Sequence, residues 1–231
     1  MRFLRGIVSG LFFVAYGAAG LAFALALCLP GWKARHVRAV VRGFYRLFLW
    51  TARCVRLFRV DFDEATRAAL ASCRGKVVVM NHLSLIDICV VMALLPDSSA
   101  VAKAAAKRNP FLGAFVRRAL IANDEDPAKA VAAAAALLKD GVSVIVFPQG
   151  TRGGKRFHRG AARMALAAGA PVCAFRIAYD PLPLAKNQPW WDVGNRQIMV
   201  QLTYSGEVGA CGANDHRHAV ALTERIKEMI G

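Results

Sequence analysis

Residues Asn81-His82-Leu83-Ser84-Leu85-Ile86-Asp87 carry the side-chain types of a general base and its orienting carboxylate. Imidazole exchanges protons near neutral pH, and a neighbouring carboxylate fixes its tautomer and steadies the imidazolium that forms. A strand over 76–80 followed by a helix from about Ser84 places Asp87 in the first helical turn. From there it can turn back toward His82. The same residues admit a plain structural explanation. Ser84-x-x-Asp87 resembles a helix capping box, with His82 a polar residue at a strand end.

A second cluster lies further on. Val142–Phe147 reads as a buried strand opening into Phe147-Pro148-Gln149-Gly150-Thr151-Arg152, then Gly153-Gly154-Lys155-Arg156-Phe157-His158-Arg159-Gly160. A glycine-rich loop lets backbone N–H groups come close to a phosphate, and guanidinium groups pair with it. It is not a P-loop, because Gly150 to Lys155 is one residue short and Arg156 stands in the Ser/Thr position. Lys155 and Arg156 suit a solvated face equally well, whereas Arg152 at the strand end is better placed for function.

The elements that must hold these residues follow from periodicity. Strands are expected at 76–80, 100–102, 120–122, 142–147, 171–178 and 198–204, and helices at 63–72, 84–95, 110–118, 127–139, 157–168 and 214–230. Asp126 can cap a helix beginning at Pro127, and Gly141 can close it. Alternation of this kind predicts an α/β domain over 60–231. The six cysteines (Cys28, Cys54, Cys73, Cys89, Cys173 and Cys211) show no CxxC spacing and read as buried free thiols. No metal site is expected.

The chain has 231 residues, 56% of them hydrophobic, and 31 Lys plus Arg against 15 Asp plus Glu, for a net charge of +16. Nucleic acid and an anionic membrane both suit that charge. The apolar excess favours the membrane, and no nucleic-acid partner is expected. Ile7–Leu29 holds no charged residue and reads as a retained membrane helix, longer than the apolar core of a cleaved signal. Between Lys33 and Arg59 there are eight Lys/Arg and no acid. Arg35, Arg38, Arg42, Arg46, Arg53 and Arg56 form a stripe on an amphipathic helix that can lie in the interface. Residues 1–59 are thus expected to be anchor and interfacial helix. The basic excess after the apolar run puts the rest of the chain on the cytoplasmic face of the inner membrane. A single span and a monotopic hairpin both satisfy this pattern.

Together these motifs resemble the glycerolipid acyltransferase family typified by 1-acylglycerol-3-phosphate O-acyltransferase. Asn81-His82 with Asp87 resembles its N-H-x(4)-D block, and Phe147–Arg152 its F-P-E-G-T-R block. Val101-Ala102-Lys103 followed by Pro110-Phe111-Leu112-Gly113 is similar to its V-A-K and P-x-x-G block. Phe157 with Gly160-Ala161, then Gly169-Ala170-Pro171-Val172, resembles the segment that follows. The resemblance implies a mixed, largely parallel sheet flanked by helices. It also implies transfer of an acyl chain from acyl-CoA or acyl-carrier protein to a lysolipid hydroxyl, in a membrane, without a metal or bound cofactor. His82 would be the base and Asp87 its orienter, with Asn81, Lys103, Gln149, Gly150, Thr151 and Arg152 binding substrate.

Three departures bear on substrate. Gln149 stands where the family has Glu, Ala174 where Pro is usual, and Asn123-Asp124-Glu125-Asp126 where an Arg contacts the acceptor phosphate. An acidic run in place of that Arg weakens binding of a small phosphate head group, so the expected acceptor is one other than lysophosphatidic acid, such as another lysolipid or a lipid-like hydroxyl of a dedicated pathway. The alternative is a non-catalytic member that binds lipid or acyl carrier.

Overall fold

Val77, Val78, Val79 and Met80 are all buried, so this strand has no solvent face and needs cover on both sides. The computed structural model describes residues 2–27, 29–108, 113–123, 126–189 and 196–231 and supplies that cover. Its strands are β1 (Phe58–Asp61), β2 (Val77–Met80), β3 (Ser98–Lys103), β4 (Ile121–Asn123), β5 (Ser143–Val146), β6 (Val172–Asp180) and β7 (Ile198–Val208). Among the described residues they form one sheet in the order β1-β7-β6-β2-β5-β3-β4. Only β6 and β7 run antiparallel, and the other neighbours are parallel. β2 is therefore central, between β5 and β6.

The helices are α1 (Arg2–Ala26), α2 (Ala34–Cys54), α3 (Glu64–Ser72), α4 (Asp87–Leu94), α5 (Gly113–Ala119), α6 (Pro127–Lys139), α7 (Gly160–Ala168) and α8 (His216–Ile230), with a 3₁₀ turn at Ala104–Arg108. Alternate residues of β2 serve opposite layers. Val78 and Met80 join the core under α2, α4 and α5, while Val77 and Val79 join the one under α6, α7 and α8. Asp126 caps α6 by accepting from Ala128 N–H at 2.9 Å, with Pro127 as its first residue, as expected from the sequence.

Several expectations change. α4 begins at Asp87 rather than Ser84, because the Asp87 carboxylate takes the backbone N–H of Leu83 and Ser84 and builds a turn before the helix. β1 was hidden at the end of the basic helical pattern. Arg56 adopts φ +56°, which ends α2 and lets Leu57-Phe58-Arg59-Val60 run into the sheet beside β7. The boundary drawn at 59/60 thus falls inside a strand. The start of the helix expected from Pro110, with Phe111 and Leu112, lies outside the described residues, as do Cys28, Asp124 and Glu125. The described cysteines are free, but Cys54 and Cys211 are exposed rather than buried.

α1 and α2 lie antiparallel. Phe12 meets Phe48, Tyr16 meets Phe44 and Phe48, and Phe23 stacks on Phe44. The Tyr16 hydroxyl and Thr51 Oγ1 are hydrogen-bonded at 2.5 Å. α2 also packs along α4, α5 and β1, so it is a helix of the domain as well as of the hairpin. Its arginine stripe is not continuous. Arg38 turns inward and makes a two-pronged ion pair with Asp97, at 2.7 and 3.0 Å. A guanidinium that is 8% exposed needs such a partner to be buried at all.

Candidate active site

The C-terminal ends of the parallel strands meet at one edge of the sheet, and the candidate residues gather there. β2 ends at Met80, and Asn81 continues the ladder with its side chain. Its Nδ2–H donates to Ile177 O at 2.9 Å, and its Oδ1 accepts from Ile177 N–H at 2.7 Å. The amide substitutes for a peptide group, so it ties β2 to β6 just before His82.

His82 Nδ1 lies 2.8 Å from Asp87 Oδ2. Two backbone donors share that oxygen: Leu83 N–H at 2.7 Å and Ser84 N–H at 3.0 Å. The second is half of the capping box read from the sequence, and it coexists with the His82 contact on the same oxygen. The other oxygen, Oδ1, accepts from the Tyr179 hydroxyl. Four donors thus converge on a side chain with 0% exposure. With Nδ1–H donating to Asp87, the imidazole presents the Nε2 lone pair, which has no partner among the described residues. The imidazole is 20% exposed and stacks on Phe147, with ring centroids 4.4 Å apart.

Burial sets the titration of the neighbours. Tyr179 is pushed well up, first by burial and then by the negative charge of Asp87, so its hydroxyl stays a donor. The Cys89 thiol is raised to about 12 by the same two causes in the same order. Tyr45 of α2, hydrogen-bonded to Cys89, is raised chiefly by burial.

The loop after β5 reaches the pair through backbone. Gln149 Oε1 accepts from His82 N–H at 2.8 Å, and Gly153 N–H donates to His82 O at 2.8 Å. Gly150 and Gly153 take φ +65° and +66°, a conformation that side-chain-bearing residues resist. The amides of Gly150 and Gly154 bond Phe147 O and Thr151 O, so much of the expected backbone cradle is engaged within the loop itself. Thr151 is exposed. Arg152 Nη1 donates to Leu184 O at 2.7 Å and Ala185 O at 3.2 Å. Its Nε and Nη2 have no partner among the described residues. Lys103 is exposed at the end of β3, on the same edge of the sheet.

The role of residue 149 in this geometry is to accept one backbone N–H, and Glu and Gln do that equally. Gln149→Glu is therefore expected to keep initial acyl-transfer rates within about threefold of wild type. Gln149→Ala loses the acceptor, and its rate is expected to fall further.

Two parts of this geometry escaped the sequence. Tyr179 lies 92 residues from the carboxylate it touches. The segment 181–188 braces the site by taking Ser84 Oγ–H on Pro183 O at 2.8 Å and Arg152 on the carbonyls of Leu184 and Ala185. No local motif marks either one.

No curated protein matches the chain. Its structure is similar to the crystal structure of the 1-acyl-sn-glycerophosphate (LPA) acyltransferase PlsC from Thermotoga maritima, with a TM-score of 0.65 and 19% identity. That likeness covers 99% of this chain and 98% of the other, and at such identity it speaks for the fold. The family model described as Acyltransferase matches residues 43–178, more than half of the chain and all of the His82, Asp87 and Gln149–Arg152 cluster. The chain belongs to the Acyltransferase family.

Proposed function

We propose that the chain is a membrane-associated O-acyltransferase that moves an acyl chain from acyl-CoA or acyl-carrier protein to a lysolipid hydroxyl, with His82 as base. The observation that carries this is the 2.8 Å contact between His82 Nδ1 and Asp87 Oδ2, which leaves Nε2 to accept a proton. Asp87 holds the ring and balances the imidazolium. As Nε2 takes the hydroxyl proton, the hydroxyl oxygen attacks the thioester carbonyl. The tetrahedral intermediate then expels the thiolate, which takes up the proton, and an ester replaces the thioester. This route needs no metal or bound cofactor from the protein, because the thiolate leaves readily.

Thr151 and the free donors of Arg152 would receive the acceptor's head group, with Gly150 shaping the turn that presents them and Lys103 as a further cation on that edge. Asn81, assigned to substrate by resemblance, fits a supporting role better, since Ile177 occupies both ends of its amide. Membrane attachment is supported by Ile7, Leu11, Val14, Leu21 and Leu25, which are exposed along α1 at helical spacing. The antiparallel packing of α1 on α2 favours a hairpin on the cytoplasmic face of the inner membrane over a single span. The acidic stretch Asp124-Glu125-Asp126 disfavours a small phosphate head group, so the acceptor is a lysolipid other than lysophosphatidic acid.

Acyl transfer measured in membranes across lysophosphatidic acid and other lysolipids, with each donor type, tests this reading. The expected result is product with at least one lysolipid and a weaker apparent affinity for lysophosphatidic acid. No product with any pair would sink the enzyme assignment, and ordinary affinity for lysophosphatidic acid would sink the acceptor assignment.

A further inference from the structure

We infer that Tyr179 is a positioning residue for the His82–Asp87 pair, its hydroxyl holding Asp87 Oδ1 so that Oδ2 faces the imidazole. This rests on the dyad reading above and adds a member from a different part of the chain. β6 pairs with β2 only as far as Met80 opposite Phe175, and then runs on to Asp180. Side chains alternate along a strand, so Tyr179 falls on the same face as Phe175 and Ile177. That face packs against the core under α2 and α4. It is also the face on which Asp87 begins α4. The overhanging end of β6 therefore delivers a phenol to the carboxylate from the side opposite the Leu83–Ser84 turn.

The other Asp87 partners all come from residues 82–84 and grip one oxygen. A carboxyl group held by one oxygen keeps freedom about its own Cβ–Cγ bond, whereas a donor on the second oxygen fixes its plane. Among the described residues Tyr179 is the donor to that second oxygen. Its high proton affinity, set by burial, keeps it donating throughout the working pH range. The contact does not reach substrate. Its consequence is the direction in which Oδ2, and hence the imidazole, points.

The test is Tyr179→Phe, which keeps the ring and its packing and removes only the hydroxyl. A positioning role predicts kcat lower by about tenfold with both KM values within about twofold, since the lost orientation matters in the transition state. Thermal unfolding measured alongside is expected to stay close to wild type. In an Asp87→Asn background the same change is expected to cost little more, because the group it acts through is already altered. If Asp87→Asn does not fold, His82→Ala serves as the background. Wild-type kcat in Tyr179→Phe, or an equal loss in both backgrounds, overturns the inference and leaves the dyad standing. Full activity of His82→Ala overturns the dyad and this inference with it.

Discussion

His82→Ala is expected to lower acyl transfer by about 10²–10⁴-fold, the span that a positioned general base contributes. That corresponds to about 3–5.5 kcal/mol of lost transition-state stabilisation. The size follows from geometry. Nε2 is the only atom of this imidazole left to take a proton once Nδ1 is committed to Asp87. The change removes a partly exposed ring stacked on Phe147 and leaves the backbone anchors at Gln149 and Gly153 in place. The fold is therefore expected to survive, with unfolding temperature shifted by only a few degrees for about 1 kcal/mol. Initial rates with saturating donor and acceptor, taken beside a melting curve, separate loss of chemistry from loss of structure. A folded His82→Ala protein with wild-type turnover would remove the base from the mechanism.

The second large effect is expected on stability. Asn81→Asp preserves shape and keeps an acceptor for Ile177 N–H, but it places an oxygen against Ile177 O where Nδ2–H now donates. An unpaired, half-buried acceptor facing a carbonyl costs about 2–3 kcal/mol, and in a domain of this size that lowers the unfolding temperature by about 4–12 °C. Activity is expected to fall as well, since the β2–β6 junction positions the next residue, His82. A role in holding substrate predicts the opposite signature, an unchanged melt with a raised KM. Differential scanning of Asn81→Asp, paired with its kinetics, distinguishes the two.

The parts of this site that could be read from the sequence are those made by short stretches of chain. His82 and Asp87 are close because a strand hands over to a helix between them, and Gln149–Arg152 lie together because a strand opens into a loop. Strand and helix patterning gave the α/β class for the same reason, since buried strands read as apolar runs. What stayed hidden depends on distant segments meeting. Arg38 looked like one more lipid-facing arginine until Asp97, 59 residues away, arrived beside it. Asn81 carried a family motif, but its partner is a backbone group of β6 that has no sequence signature. Tyr179 ends an apolar strand and resembles any other aromatic of the core. β1 was masked because its few residues follow directly on a long helix, with only the left-handed Arg56 to mark the break.

The central position of β2 also shapes how the chain is made. Both neighbours of this strand are synthesised after it: β5 begins at Ser143 and β6 at Val172, against Val77 for β2. At ribosomal speeds the wait for β5 alone is roughly 3–13 s. During that time a fully apolar strand has emerged with both of its edges open, a state that invites aggregation. The α1–α2 hairpin has already left the ribosome by then, and α2 can begin to shelter the face that later packs against α4. β2 gains its second neighbour, and Asp87 its contact with Tyr179, only once β6 appears, so full activity is expected to arrive late. Chains cut before Tyr179 are therefore expected to be cleared by proteases rather than to persist as weakened enzymes.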